Sequence, residues 1–520
     1  MKISLPVLLF FSLSINLFSQ NIDKPNMSLR ELKQNFDITQ LSDSLMDSFT
    51  IEKSTKILKN LDAKIDDYTI INQRNDSLKV DTSLTIDKHY KLNFLRDDNF
   101  ELIEFSNTGH TYNTLSFVDR DNLFPGIGSS AKHYNYMQAN DIDYYHVATP
   151  FTELMYRTAF VQGQLLDALF SVNTSPRFNF TIARKGLRSL GNYQHFLSSS
   201  SNFRFSTNYN SKNSKYFLKT HYVSQNLFSE ENGGIREDDI VNFESGNTEF
   251  IDRSVFDPQF ENADNTLQGK RFYINQEYSF KNLTDSLNTK KWSIGNIISL
   301  ENKYYQFKQT SPNLYFGESL DLSQINDKVS FDTFLVNFNT SYNSSKFGVT
   351  TVYINYRDVN YSFENLADTN NDYFYESIID ENISIGLDYI FEKDKYSLDF
   401  QYESVLSGEV EGSMLKAGLL LNINSDSNIK LSYSKTDNSP DYNHLINNSS
   451  YSNYNWNNIF NNINTTRYIV NFKSDKLFKL KFEFNKISNY TYFSKDVNGF
   501  VVPTQESSNI GMFKMNISKK

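Results

Sequence analysis

The sequence predicts an all-β protein: a transmembrane antiparallel up-and-down β-barrel of roughly 16 strands (14–18), preceded by a short periplasmic N-terminal extension. Three observations predict it. Apolar and polar residues alternate with a period of two through most of the chain after residue 150. The links within successive strand pairs are short, and most links between pairs are long. Residues 382–403 show the alternation most clearly, as two apolar arms joined by a polar turn.

Alternation alone leaves two burial schemes open. The apolar face could line the core of a soluble sandwich, or it could face lipid around a polar lumen. The link LSGEVEG is short, but the other links between pairs span residues 227–269, 307–329, 362–380, 437–465 and 493–508. Outer-membrane barrels combine tight turns at one end with long loops at the other, so the connections favour the barrel over a secreted sandwich.

In the barrel, the apolar side chains of residues 382–403 are expected to face lipid, because only closed barrels satisfy the backbone groups of strands within a bilayer. Their polar alternates then face a wet lumen. The predicted lipid-facing residues are Ile383, Ile385, Leu387, Tyr389, Phe391, Tyr396, Leu398, Phe400 and Tyr402.

The N-terminal part divides into three predicted segments. Residues 1–19 have the basic start, apolar stretch and small final residue of a secretory signal, and we expect cleavage after Ser19. An uncleaved anchor is the alternative, but serines interrupt the apolar stretch. Residues 20–87 read as a periplasmic extension or linker, partly disordered or helical, and 88–150 as a pre-barrel segment before the barrel at 151–520. Nothing before residue 150 is large enough for a full plug domain in addition to the linker, which disfavours a TonB-dependent transporter.

Eleven ionisable residues alternate with apolar neighbours and are candidates to line the lumen. Such side chains tune ion selectivity in pores, although ordinary solvation of the lumen is the alternative. The candidates are a basic wall of Arg177, Lys185, Arg204, Lys219 and His221, with Asp388, Asp399, Glu403, Lys479, Lys481 and Glu483 elsewhere.

The sequence contains no motif that indicates catalysis, so we predict no enzyme, cofactor or metal. Its seven histidines form no H-E-x-x-H spacing, and it has no cysteine. The loop at 229–257 carries nine acids that could bind Ca²⁺ or bridge lipopolysaccharide through divalent ions, yet it matches no calcium loop. The Asn- and Tyr-rich loop at 437–465 could stack on sugars or be a plain surface loop.

Several stretches carry a family resemblance. The steps Thr149-Pro150 and Thr152–Leu154, the run Gln162–Gln164 and the motif Asn173–Phe180 resemble the putative porin family of Bacteroidota outer membranes. The resemblance extends over roughly residues 62–520 and implies an outer-membrane β-barrel of porin type, with no established substrate or catalytic residues. Members of such families usually continue to a strand with a terminal aromatic residue, so we expect this chain, which stops at Lys520, to be truncated or a fragment.

Two functions follow as expectations. The first is passive diffusion of small hydrophilic solutes, selected by size and lumen charge. The second is a non-conducting outer-membrane barrel that anchors extracellular binding or adhesion loops. The expected partners are outer-membrane lipid and lipopolysaccharide, small hydrophilic solutes and the barrel-assembly machinery, and no nucleic acid.

The final strand, NIGMFKMNIS, is irregular. Its apolar side switches faces near Met512, and two lysines stand where an aromatic end is expected. Unpaired backbone groups at a strand edge cost several kcal/mol each in lipid. We therefore expect the barrel to be poorly closed, with a gap between its first and last strands.

Overall fold

Sixteen antiparallel strands form a single sheet in the computed structural model, which describes residues 62–73, 76–83, 85–97, 100–117, 122–159, 163–280, 290–364 and 377–519. Each strand pairs with its neighbours in the chain, which confirms the predicted fold class and strand number. The predicted signal segment and most of the extension lie outside the described residues. The strands are β1 (Phe151–Ala159), β2 (Gly163–Ser175), β3 (Phe178–Ser189), β4 (Ser198–Asn210), β5 (Tyr216–Glu231), β6 (Ala263–Ser279), β7 (Lys290–Gln309), β8 (Ile325–Ser344), β9 (Gly348–Glu364), β10 (Ser377–Lys393), β11 (Tyr396–Ser407), β12 (Ser413–Asn424), β13 (Ser427–Asn438), β14 (Ile463–Ser474), β15 (Lys479–Ser488) and β16 (Ile510–Ser518).

The two ends of the sheet carry connections of different lengths. Tight turns follow β2, β4, β8, β10, β12 and β14, at what we call the short-turn end. Longer connections follow β5, β7, β13 and β15 at the opposite, long-loop end, although the links after β1 and β11 at that end are short. β7 and β8 pair along 20 residues each. Because a tilted strand needs only about 9–11 residues to cross a bilayer, these two strands are long enough to extend beyond it.

The first and last strands are not paired with each other in the described part of the chain. β16 pairs with β15, from Ile510 opposite Ile487 to Ser518 opposite Lys479. β1 pairs with β2 on its other side. The expected gap between the first and last strands is therefore present, and one edge of each strand lacks a ladder partner among these residues.

The outer face of the sheet is apolar and exposed. In the hairpin of residues 382–403, Ile383, Leu398 and Tyr402 are exposed, whereas Glu403 on the opposite face is only 9% exposed. This alternation places apolar side chains where they can contact lipid and polar ones in the lumen. Other large apolar residues exposed on the strands include Leu154, Phe170, Ile182, Phe203, Phe272, Trp292, Phe338, Ile354, Leu431, Tyr468, Phe482 and Phe513.

The remaining secondary structure is short. Before the sheet, the strands Thr69–Ile71, Ser77–Lys79 and Tyr144–His146 form a small sheet, and Leu102–Glu104 pairs with Tyr112–Thr114. Two further hairpins lie in long loops, Ile446–Asn447 with Trp456–Asn457 and Thr491–Lys495 with Val501–Gln505. No helix among the described residues is long and apolar enough to cross a membrane. The α-helices are α1 (Ser130–His133), α2 (Ile240–Glu244) and α3 (Tyr442–Leu445), and the 3-10 turns are Ile65–Asp67, Ile86–Leu92, Ala139–Asp141, Glu237–Asp239, Thr248–Phe250, Arg253–Val255, Leu314–Phe316 and Ser452–Tyr454.

Candidate functional site: the lumen and its outer cavity

Residues 62–147, which we call the inner segment, contact strands far apart in the sheet. Its Arg96 is 2.6 Å from Glu153 on β1, and the Tyr136 hydroxyl donates to Glu301 on β7 over 2.5 Å. Glu101 forms an ion pair with Lys514 on β16. Because one short segment reaches β1, β7 and β16, the sheet must curve around it. The inner segment, which is too short for a full plug domain, therefore occupies part of the lumen.

Cations on the strands hold the main chain of the inner segment. The inner segment has little regular structure, so many of its carbonyl groups need partners from elsewhere. Arginine and lysine supply several N–H donors each, and hydrogen bonds to charged groups contribute about 1.5–3 kcal/mol. Four such donations to carbonyl oxygens run from Arg157 to Leu92 over 2.6 Å, from Lys219 to Asn72 over 2.7 Å, from Arg271 to Met137 over 3.1 Å and from Arg357 to Pro125 over 3.1 Å.

Arg271 is the most enclosed of these four cations, at 2% exposure. Both of its terminal nitrogens donate to the Met137 carbonyl, and one of them also reaches Glu301 over 3.3 Å. Its Nε donates to His221 Nε2 over 3.2 Å. His221 therefore carries its proton on Nδ1, which lies 2.9 Å from the Tyr144 hydroxyl oxygen. The Arg271 guanidinium thus contacts the inner segment at Met137 and both neighbouring strands, β5 and β7, and reaches Tyr144 through His221.

Four of the five residues of the predicted basic wall lie on strands beside the inner segment. Lys185 is buried, with its Nζ 4.3 Å from the ring centre of Phe94. Arg204 is 3.2 Å from Asp167, which also pairs with Arg96. Lys219 and His221 contact Asn72 and Tyr144, as given above. Arg177 instead lies in the exposed turn between β2 and β3.

The other six candidates lie on strands β10, β11 and β15. Glu403 is buried and accepts hydrogen bonds from Ser384 over 2.7 Å and from Asn355 over 2.9 Å. Glu483 is also buried, 3.3 Å from Lys481 and 3.4 Å from Arg467. The remaining three are half-buried Asp388, Asp399 at 3.9 Å from Lys430, and exposed Lys479 at the start of β15. Their role in lining a solute path stays a prediction.

Sequence reasoning missed Arg271 and Arg357. The signal was available for Arg271, because it alternates with the lipid-facing Phe272 in the run RFYINQ and therefore points inward. What the sequence did not indicate is the partner of either arginine. Both arginines bind carbonyl oxygens of the inner segment. Because every residue has a carbonyl group, the sequence does not indicate which one is bound.

A long loop holds one turn of the inner segment at the long-loop end. The Gly126 N–H donates to the Asp441 carboxylate over 2.8 Å, and the Tyr442 N–H donates to the Gly126 carbonyl over 3.0 Å. The adjacent Pro125 carbonyl is the one bound by Arg357. The turn and the loop lie in close contact at Gly128. A Cβ atom at this position would lie only 2.1 Å from the Asn443 side chain.

A cavity of about 1020 Å³ lies between the inner segment and the long loops. Its floor comes from the inner segment around Tyr112 and Tyr134. One wall includes Phe316 from the loop after β7, and another includes Tyr492 from the hairpin before β16. Ligand sites in proteins typically measure about 300–1,000 Å³ and combine aromatic walls with a few polar groups. The cavity therefore has the size and composition of a ligand site.

Comparisons with known proteins agree with this architecture. A family described as "Putative porin" matches residues 64–520. No curated protein matches the chain. Among solved structures, FpvA of P. aeruginosa in complex with a pyoverdine and iron is similar at a TM-score of 0.51 and 11% identity, over 88% of this chain and 68% of that chain.

Two further receptors align less completely. The siderophore receptor PirA from Acinetobacter baumannii has a TM-score of 0.45 at 9% identity, over 71% of this chain and 59% of its own. The ferric-catecholate import receptor Fiu from K12 E. coli has a TM-score of 0.41 at 8% identity, over 71% of this chain and 61% of its own. The chain thus spans less than two thirds of either receptor. At these identities the likeness concerns the fold alone.

Replacing Arg271 with methionine is expected to destabilise the protein by about 3–5 kcal/mol, because Met137 and Glu301 lose a buried charged partner. Denaturant unfolding of the full chain in lipid vesicles, followed by tyrosine fluorescence, measures the change. The control is Lys270→Met, since Lys270 is exposed and its loss should cost less than about 0.5 kcal/mol. Equal effects of the two substitutions would contradict the anchoring role.

Acidification is expected to destabilise the inner segment through His110. Burial, reinforced by the nearby charge of Lys132, lowers the pKa of His110 to about 4. The unfolded chain therefore takes up a proton first, so this contribution to stability is complete above about pH 6.5 and is lost as the pH falls towards 4. The loss between about pH 7 and about pH 5 should be about 2 kcal/mol.

Unfolding of His110→Gln at the two pH values checks this prediction, because glutamine does not titrate. The variant should lose that part of the pH dependence, whereas His89→Gln, at an exposed position, should keep it. The same pH dependence in His110→Gln and in the unaltered protein would show that another group is responsible.

Proposed function

The chain belongs to the putative porin family and is an outer-membrane β-barrel, and we propose that it binds a small solute in its outer cavity while its inner segment restricts flow through the lumen. The proposal shares a binding role for the extracellular loops with the second expected function, a non-conducting barrel that anchors binding or adhesion loops, and differs from it in placing a small-solute site in one cavity above a movable inner segment. The single observation that carries it is the set of hydrogen bonds from strand cations to carbonyl groups of the inner segment.

The proposed path of the solute follows from the geometry. With the tight turns in the periplasm, the long loops and the cavity face the outside of the cell. A solute from outside then meets aromatic walls first and the inner segment second. Further passage requires part of that segment to move, and each charged hydrogen bond to its main chain opposes the movement by about 1.5–3 kcal/mol. Binding and flow are therefore separate events.

Passive diffusion of small hydrophilic solutes is the second candidate. The family description favours it, and so does a group of polar side chains on β9 to β11, where Glu403 accepts hydrogen bonds from Asn355 and Ser384. In this case solutes would pass beside the inner segment, selected by size and by lumen charge. The eleven lumen-lining candidates would then act on selectivity.

We also propose how the chain reaches the outer membrane and what it contacts there. Export uses the signal at residues 1–19, and insertion uses the barrel-assembly machinery. Lipid contacts the apolar outer face, divalent ions bridge lipopolysaccharide to the acidic loop at 229–257, and no nucleic acid is involved. We propose no catalytic step.

Planar-bilayer recordings decide between the two functions. We expect the full chain to conduct little, because the inner segment occupies the lumen, and a variant lacking residues 62–147 to conduct steadily. The double variant Asp441→Asn with Arg357→Met, which weakens two of the three hydrogen bonds that hold the turn around Gly126, should open more often than the full chain. The control is Asp252→Asn, in an exposed loop position that contacts Ser254.

Steady conductance of the unaltered chain, equal to that of the deletion variant, would contradict the proposal and support passive diffusion. If the deletion variant does not fold, the double variant still distinguishes the proposed function from passive diffusion. Its opening frequency should rise if the inner segment is the barrier, and should stay unchanged if it is not.

A further inference from the structure

The outer cavity presents aromatic surfaces on several sides. Tyr490 and Tyr492 stack at 5.8 Å with an interplanar angle of 13°. The opposite wall holds Phe316, packed on Phe260 and Phe307 at 5.3 and 5.7 Å. Aromatic rings offer broad apolar faces at a low cost in conformational entropy, and tyrosine adds a polar hydroxyl. A ligand of this cavity must therefore have at least one apolar face.

The charged groups around the cavity already have hydrogen-bond partners within the protein. Lys132 in the floor donates to Ser229 over 2.7 Å and also to Asn265. Asn265 in turn donates to Glu231. Asp441 accepts the Gly126 N–H. A charged ligand binds best next to an opposite charge that has no other partner. Lys132, Glu231 and Asp441 already form hydrogen bonds within the protein. The arrangement favours an uncharged ligand.

Two buried polar atoms of the lining residues are acceptors without a hydrogen-bond partner among the described residues. His133 Nδ1 lies 2.9 Å from the Ser129 carbonyl, so it carries the proton and leaves Nε2 as an acceptor. Burial lowers the pKa of His133 to about 4, which keeps the ring neutral. The second atom is Asn443 Oδ1. Buried acceptors are rarely left unpaired, so a ligand here should bring donors.

We infer that the outer cavity binds a neutral oligosaccharide. A sugar ring combines an apolar face of C–H groups, which can lie on Tyr490, Tyr492 or Phe316, with uncharged hydroxyls, which can donate to His133 and Asn443. Carboxylates and phosphates bring acceptors in place of donors. An ammonium brings donors, but the lining carboxylates Glu231 and Asp441 already accept hydrogen bonds from Asn265 and Gly126. The inference rests on the proposed function, because it names the class of solute that the cavity takes.

Binding of the full chain in detergent to an array of neutral, uronic-acid and sulfated oligosaccharides tests the inference, and calorimetric titration with the best neutral oligosaccharide measures affinity. We expect binding to neutral members. Tyr492→Ala should weaken it about tenfold, since one stacked ring is lost. His133→Phe, which removes the acceptor and keeps a ring, should weaken it by a similar factor. Phe338→Ala is the matched aromatic control on the outer face of β8 and should leave the affinity unchanged.

The outcomes separate the inference from the proposed function. Binding only to uronic-acid or sulfated oligosaccharides, lost in Tyr492→Ala, would overturn the neutral-sugar inference and leave a ligand-binding cavity. Equal weakening by Tyr492→Ala and Phe338→Ala would overturn the assignment of the site. No binding to any of these probes would overturn the inference, and the conductance of the full chain would then decide the proposed function independently.

Discussion

Hydrogen bonds from cations of the strands to carbonyl oxygens of the inner segment are the interaction on which the rest of the structure depends. A segment with little helix or sheet cannot satisfy its own main chain, and a buried carbonyl without a donor is costly. The polar face of a barrel provides the missing donors, because it alternates with the apolar lipid face along every strand. Arg271 shows the principle most fully, since it serves the Met137 carbonyl while Glu301 balances its charge.

The outer cavity depends on those same hydrogen bonds. Its floor belongs to the inner segment, so the cavity has a closed end only while the segment stays in the lumen. The loop after β13 adds a second dependence, because Asp441 and Tyr442 hold the turn at Gly126 while neighbouring Asn443 lines the cavity. A ligand that contacts Asn443 is thus one residue away from a contact that holds the inner segment. A contact that holds the inner segment and a residue that lines the cavity thus lie side by side in this loop.

The sheet could be predicted from the sequence, and the inner segment could not, for a physical reason. Strand alternation is local, so residues such as Ile383 and Glu403 indicate their own faces, and turns such as the one after Lys393 indicate the pairing. The inner segment is fixed by contacts between distant residues, such as the one that joins Gly126 to Asp441 across 315 positions. Alternation also indicated that Lys219 and His221 point inward. It did not indicate that their partners are an Asn72 carbonyl and a tyrosine hydroxyl, because such groups carry no periodic signal.

Amide hydrogen exchange of the full chain in lipid vesicles tests the position of the inner segment most directly. The amides of Gly126, Met137 and Val147 donate to Asp441, Gln225 and Asn173, outside the inner segment. If the segment lies in the lumen, these three amides exchange slowly, as the amides of β5 to β7 do. Exchange at the rate of an unstructured peptide, with the strands still protected, would show that the segment lies outside the barrel and would contradict the account.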